Sequence, residues 1–268
     1  MHNNNYVKTN PQSSYFYNLD QLQNYNVDAS KAAYIELSFS FIKQAKMAKK
    51  SILIMFMLLC GCQRTIVNSK EQFIQLCREN RIAGAICAYL DLQNISVPRA
   101  NLTGVDLKGT NLNRSNLTGT DLSEADLFSA NLSEAVLSGA NLTKANLSKA
   151  SLSATNFSDA NLQGANFTGA YLSNVNFYNA DLRKVILKGV ASIYATDFTE
   201  SNLSKTDLSG INFSNCKFSG SNLSGANLTE ADLYNANLHD ADLTGADLTR
   251  ADLTRANLMG TKMTGVKK

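Results

Sequence analysis

From Ala100 to Lys268 a large apolar residue falls on every fifth position. The beat is Leu or Phe from Leu102 to Leu187. It slips by one residue, restarts at Ile193 and Phe198, and runs on to Met263, making 33 centres in all. Two residues before each centre stands Ala or another compact residue, such as Thr110, Ser115, Val175 or Cys216. The residue just before the centre is Asn or Asp in 26 of the 33; the exceptions are Val136, Ser151, Tyr171, Ile186, Ser192, Lys217 and Lys262. Ser or Thr usually follows. Period five fits neither a helix of about 3.6 residues per turn nor a strand of period two. Five residues do make one short extended piece and one corner. The centre and the small residue two before it then share a side, as strand alternation requires. Both are apolar or compact, so that side is the inside. The Asn/Asp, Ser/Thr and Gly-rich positions face water or form the turn, which suits their side-chain-to-backbone bonding. Leu147 is thus an inside residue and Asn146 an outside one.

The consensus Ala-(Asn/Asp)-(Leu/Phe)-(Ser/Thr)-x, as in Ala140-Asn141-Leu142-Thr143-Lys144 and Ala241-Asp242-Leu243-Thr244-Gly245, resembles the pentapeptide repeat proteins. The resemblance covers roughly two-thirds of the chain, and a fixed short period of this kind marks a solenoid. It implies an all-β fold, a right-handed quadrilateral β-helix with four pentapeptides per coil. Leu102, Leu122, Leu142, Leu162 and Leu182 then form one internal ladder. Some eight coils over residues 85–268, at about 4.8 Å each, make a rod of roughly 40 Å.

The first 99 residues are different. They carry a net charge of +5 against −2 for residues 100–268, within a total of +3. Neither value points to nucleic acid as a direct ligand. Residues 1–46 are rich in Asn, Gln, Ser and Tyr and read as a disordered or over-extended leader; Ala29 to Ala48 is a candidate helix. Residues 47–61 read as a signal peptide: Met47-Ala48-Lys49-Lys50, then apolar Ile52 to Leu59, too short to span a bilayer. The segment ends Leu59-Cys60-Gly61-Cys62, which resembles a bacterial lipobox and makes Cys62 the lipidated N-terminus. Translation then starts at Met47. The alternative is a short buried segment of a genuine N-terminal domain. Gln63, where Asp is absent, resembles the outer-membrane sorting of Gram-negative lipoproteins. Two or three acyl chains meet the two-signal requirement for stable anchoring.

Residues 62–84 read as a tether and capping helix. Gln63 to Asn68 are the tether, Ser69 an N-cap with Gln72 in the reciprocal position, and Gly84 the stop. A solenoid must close its ends, so the helix is expected across the first coil. At the other end the beat runs on to Met263 with no helix after it. Lys262, Lys267 and Lys268 are expected to guard that edge as charges, giving a monomer; two ends meeting in a dimer is the alternative the resemblance allows.

No nucleophile–base set, phosphate loop or metal spacing occurs, so neither catalysis nor a cofactor is expected. His2 lies in the leader, and His239 reads as a solvated turn residue. Of the five cysteines, Cys60 leaves with the signal, Cys62 takes lipid and Cys216 holds an inward position. Cys77 and Cys87 either pair, as an oxidising compartment allows, or remain free.

A partner is best sought where the beat fails. Between Tyr171 and Tyr194 the polar position becomes Tyr171 and then Ile186. Tyr178 and Tyr194 follow their centres, and Arg183, Lys184 and Lys188 lie among them. The extra residue between Leu187 and Ile193 suggests a bulge or small loop at a corner. This exposed aromatic and basic group is the candidate interaction site for a protein partner; harmless drift of a degenerate repeat is the plainer reading. The expected function is a non-catalytic scaffold, lipid-anchored to the membrane of the cell envelope. Some pentapeptide repeat proteins mimic DNA and bind gyrase, which is the alternative, with a cytoplasmic location. The weak charge of the array and the interleaved Arg250 and Arg255 count against it. A third alternative is a secreted effector with residues 1–46 as its export signal.

Overall fold

The structure, a computed structural model, describes residues 64–268, and Arg64–Lys268 form one compact unit. The leader, the candidate helix over 29–48, the signal segment and Cys62 lie outside the described residues.

Each pentapeptide makes one parallel bridge and one turn. Asp121 shows the pattern. Its N–H donates to the Ala100 carbonyl at 3.0 Å, and its own carbonyl accepts from Leu102 N–H at 2.7 Å. The next residues, Leu122 to Ala125, close a β-turn through Ala125 N–H to Leu122 C=O at 3.0 Å. The third turn residue, Glu124, has φ +57°, the left-handed value that a type II turn needs there. Asp121 bridges Asn101 before it and Asn141 after it, so one coil takes 20 residues and four pentapeptides. The four sides can be named by their bridge residues: side A by Asn101 and Asp121, B by Asp106 and Asp126, C by Asn111 and Asn131, D by Asn116 and Val136. Residues ten apart therefore stand on opposite sides of one coil.

Centres and small residues form the core. Leu102, Leu122, Leu142, Leu162 and Leu182 are all fully buried, and so is Leu147. Inward hydroxyls are satisfied by backbone carbonyls, as with Ser115 Oγ to Leu112 O at 2.7 Å and Thr120 Oγ1 to Leu117 O at 2.8 Å. On side D the centres change from Leu137 to Phe157, Phe177, Phe198 and Phe218, whose rings stack at 5.4, 5.2 and 4.9 Å between centroids. Phe167 and Phe213 meet this stack edge-on. Such aromatic pairs add about 0.5–1.5 kcal/mol each beyond area burial.

The outside is bonded along the axis as well as wetted. Asn146 Oδ1 accepts from Ser148 N–H at 3.2 Å, an Asx-turn. Asn146 Nδ2 donates to Asp126 Oδ1 in the preceding coil at 3.0 Å. The same backward donation joins Asn141 to Asp121, Asn176 to Asn156 and Asn227 to Asp207. Asn146 is half-buried, so the reading of this position as merely solvent-facing is corrected: its amide is a rung. At the corners, Arg114 pairs with Glu134, Lys144 with Glu124 and Arg250 with Glu230, each partner 20 residues away.

Pairing begins earlier than the tether reading allows: Ile66 bridges Ile86, because a residue 20 positions away completes the coil across an intervening helix. Helix α1, Lys70–Arg78, occupies that first turn. Ser69 Oγ accepts from Gln72 N–H at 3.1 Å, while Gln72 Oε1 accepts from Asn68 N–H at 2.8 Å, one residue before the N-cap. Phe73 and Leu76 are buried in the core. The helix stops well before Gly84. Asn80, at φ +54°, donates its N–H to Cys77 O, and Arg81 N–H reaches Leu76 O, the two bonds of a Schellman motif. In the last coil Leu253, Leu258 and Met263 are only partly buried. Lys262 and Lys267 reach back to Asp242 and Asp247, at 4.0 and 3.4 Å.

Candidate interaction surface

The extra residue is absorbed on side C. Ala191 N–H donates to Ala170 O, and Ser192 O accepts from Leu172 N–H. Two residues thus share the position that one residue holds elsewhere, which is a β-bulge. Bridges across it are 21 residues long, as in Tyr171 to Ser192 and Asn176 to Asp197. The bulged strand stays bonded to the coil before it, with Phe167 N–H to Ile186 O at 2.8 Å and Asn174 N–H to Tyr194 O at 2.8 Å.

Toward the coil after it, the bonding is lost. In the regular register Ile186 bridges Asp207 and Ser192 bridges Asn212. Neither bridge forms, and no backbone hydrogen bond joins residues 183–195 to residues 203–216 among the described residues. Pairing holds on either flank, with Leu182 N–H to Asn202 O at 2.8 Å and Lys217 N–H to Thr196 O at 3.1 Å. The result is a slit on the adjacent sides B and C, closed on A and D. A groove of about 480 Å³ lies in it, lined by residues 189–194, 210–212 and Ser214.

The structure separates the residues of the candidate site. Ile186 lies on side B and Tyr171 on side C, at 47% and 50% exposure, and Tyr194 sits one coil beyond Tyr171 at 58%. Lys188 stands at the corner between B and C, beside the slit. Arg183 and Lys184 occupy the corner between A and B, and Arg183 is held by Asp181 at 2.6 Å. Tyr178 is ten residues from Lys188 and so stands on the far side of the coil. A window of sequence wraps right around a 20-residue coil, which is why the group does not form one patch. Lys205 and Asp207 in the next coil belong to the slit and were missed; a register offset of 21 from Lys184 and Ile186 was the signal that finds them.

Other chemistry is sparse. His239 Nδ1 lies 3.1 Å from Asp240 Oδ2 at an exposed corner. Among the described residues no group of three or more His, Cys, Asp or Glu is arranged to hold a metal ion. Burial pushes the thiols of Cys77 and Cys87 up to about 12 and that of Cys216 to about 11, so none is a ready nucleophile. Cys77 and Cys87 are free thiols.

The family described as pentapeptide repeats matches residues 85–123, 98–133, 120–159, 150–189, 196–233 and 226–265, in 8 copies. The chain belongs to the pentapeptide repeat family. Residues 190–195, the bulge, fall between the matched segments. Among solved structures, HetL, a pentapeptide repeat protein involved in heterocyst differentiation regulation from the cyanobacterium Nostoc sp., is 32% identical over 69% of this chain and 83% of its own, with a TM-score of 0.57. A pentapeptide repeat protein from the Arabidopsis thaliana thylakoid lumen is 30% identical over 35% of this chain and 69% of its own, with a TM-score of 0.30. QnrB1, a plasmid-mediated fluoroquinolone resistance protein, is 20% identical over 67% of this chain and 90% of its own, with a TM-score of 0.30. Among curated proteins none matches the chain by sequence. No helix among the described residues is long and apolar enough to cross a membrane.

Proposed function

We propose that this pentapeptide repeat protein is a non-catalytic scaffold at the cell envelope. It is held there by lipid on Cys62 and offers its bulged coil to a protein partner. The right-handed winding and the capping role of α1 implied by the family go with this reading. The observation that carries it is the contrast in the coil wall: uniform bonded coils on either side of one coil that is open on two sides and flanked by exposed Ile186, Tyr171 and Tyr194. Exposed Tyr side chains that become buried on docking are among those that dominate binding energy in protein interfaces. The chemical features of a catalytic site do not converge there.

Two experiments test the two halves. Mass analysis of the native N-terminus is expected to give a diacylglyceryl Cys62; an intact Met1 contradicts the anchor. For the partner, a crosslinked pull-down compares Tyr171→Ala/Ile186→Ala with Tyr178→Ala. Loss in the first and retention in the second supports the bulged coil. Equal recovery in both removes the coil from the reading.

A further inference from the structure

We infer that the slit on sides B and C docks an extended, acidic polypeptide segment, which adds to the open backbone edge as a strand. The inference rests on the scaffold reading and names the chemistry of its partner. Unpaired strand edges are templates for strand addition, with main-chain bonds giving affinity and side-chain sites giving selectivity. Here both lips are open. In the regular register Leu187 N–H would meet Asp207 O, and Asp207 N–H would bond back toward Val185; neither bond is made. The lips are also clear of side chains at the corner, since a Cβ added at Gly189 or Gly210 would meet nothing within 4 Å.

Charge selects the occupant. Residues 182–196 carry Arg183, Lys184 and Lys188 and no carboxylate. In the regular coils several corner cations are taken up by axial carboxylates, as in Arg114–Glu134 and Arg250–Glu230. At the slit, Lys184, Lys188 and Lys205 are exposed and have no ion-pair partner within 4.0 Å among the described residues. Lys184 and Lys205 stack in successive coils at one corner and Lys188 stands at the next, so three ammonium groups frame side B. Asp207 is the carboxylate facing them. The Ser209 hydroxyl and N–H hold it below the usual range, with Asn227 and Lys188 adding to the effect. The surplus remains positive. Ile186, exposed between the two corners, offers an apolar contact to alternate side chains of an incoming strand.

The test is fluorescence anisotropy of the full chain at low ionic strength, with a labelled alternating Glu-Val peptide as probe and an alternating Lys-Val peptide as control. Saturable, salt-sensitive binding of the Glu-Val peptide is expected, weakened at least about tenfold by Lys184→Glu/Lys188→Glu/Lys205→Glu. Deleting Ala191 restores a 20-residue coil. It is expected to abolish binding while raising the thermal midpoint, which separates closure of the slit from unfolding. Glu-Val binding that survives both changes overturns the inference, as does equal binding of the Lys-Val peptide. Lysine-dependent binding to phosphatidylglycerol vesicles without Glu-Val binding also overturns it, assigning the cations to a membrane surface. Partner capture through Tyr171 and Ile186 that persists in the lysine variant leaves the scaffold standing and removes the acidic strand.

Discussion

The coil carrying Asn141, Asn146, Ser151 and Asn156 and the coil carrying Asp181, Ile186, Ser192 and Asp197 obey one repeat and differ by one residue. In the first, every bridge residue is bonded to the coil on either side. In the second, two of four bridges to the next coil are missing. The difference shows where the strength of the stack lies. A pentapeptide holds a left-handed turn residue, often one other than Gly, and such a conformation costs of order 1 kcal/mol or more. Axial bonds between coils offset it. A one-residue slip removes them locally and opens the compact inward position there, leaving Ala191 exposed and Val190 half-buried while the large centres stay inside. Leu187 and Ile193 stay buried at the slit. On closed side D the Phe198–Phe218 pair stacks at 4.9 Å between the two coils that the slit separates. The aromatic column thus holds the coils in line where the wall is open.

The contrast breaks most violently at the core. Leu147→Asp, in the regular coil, is expected to prevent folding, because a buried carboxylate there has no partner. Ile186→Asp, in the bulged coil, is expected to cost under about 0.5 kcal/mol, as surface changes do. Circular dichroism with thermal melting reads both. Phe198→Ala comes next, at about 3–5 kcal/mol. The loss should show as separate melting of the segments before and after the bulge, where the wild type melts once.

Much of this was legible in the sequence. The beat alone located the inside, since Leu and the compact residue two before it must share a face. What escaped depended on bonds 20 residues long. Asn146 looks like any solvated amide until Asp126 is placed beside it. The Phe column was hidden because Leu and Phe keep the same beat at period five, and separate only at period 20. Asn80 rather than Gly84 ended α1, because a Schellman pair needs a residue tolerant of positive φ at that place and Asn supplies it. The aromatic and basic group looked contiguous because a linear window conceals that ten residues are half a coil.

A smaller effect tests the rung. Asn146→Asp replaces an amide donor with a carboxylate against Asp126, at an expected cost of about 1 kcal/mol near neutral pH. Two stacked carboxylates raise a folded-state pKa above the unfolded one. The variant's deficit should therefore shrink as pH falls and the shared proton returns. Both proteins should also lose stability in acid. Hydrogen bonds from Ser209, Thr244, Thr249 and Thr254 depress Asp207, Asp242, Asp247 and Asp252. Their stabilisation is complete above the unfolded carboxylate pKa of about 3.9 and is lost as pH drops through the lower folded values. Melting curves between pH 7 and acid check both signs: profiles that fall and converge are expected, and parallel ones would exclude the rung.

The central claim is that one coil wall is open on two sides while its neighbours are closed. Amide hydrogen exchange resolved by NMR reads it directly. Leu187, Ile193, Asp207 and Asn212 N–H are expected to exchange orders of magnitude faster than Leu147, Leu152, Asn166 and Tyr171 N–H, which are bonded within closed coils. Uniform slow exchange across both sets would contradict an open slit.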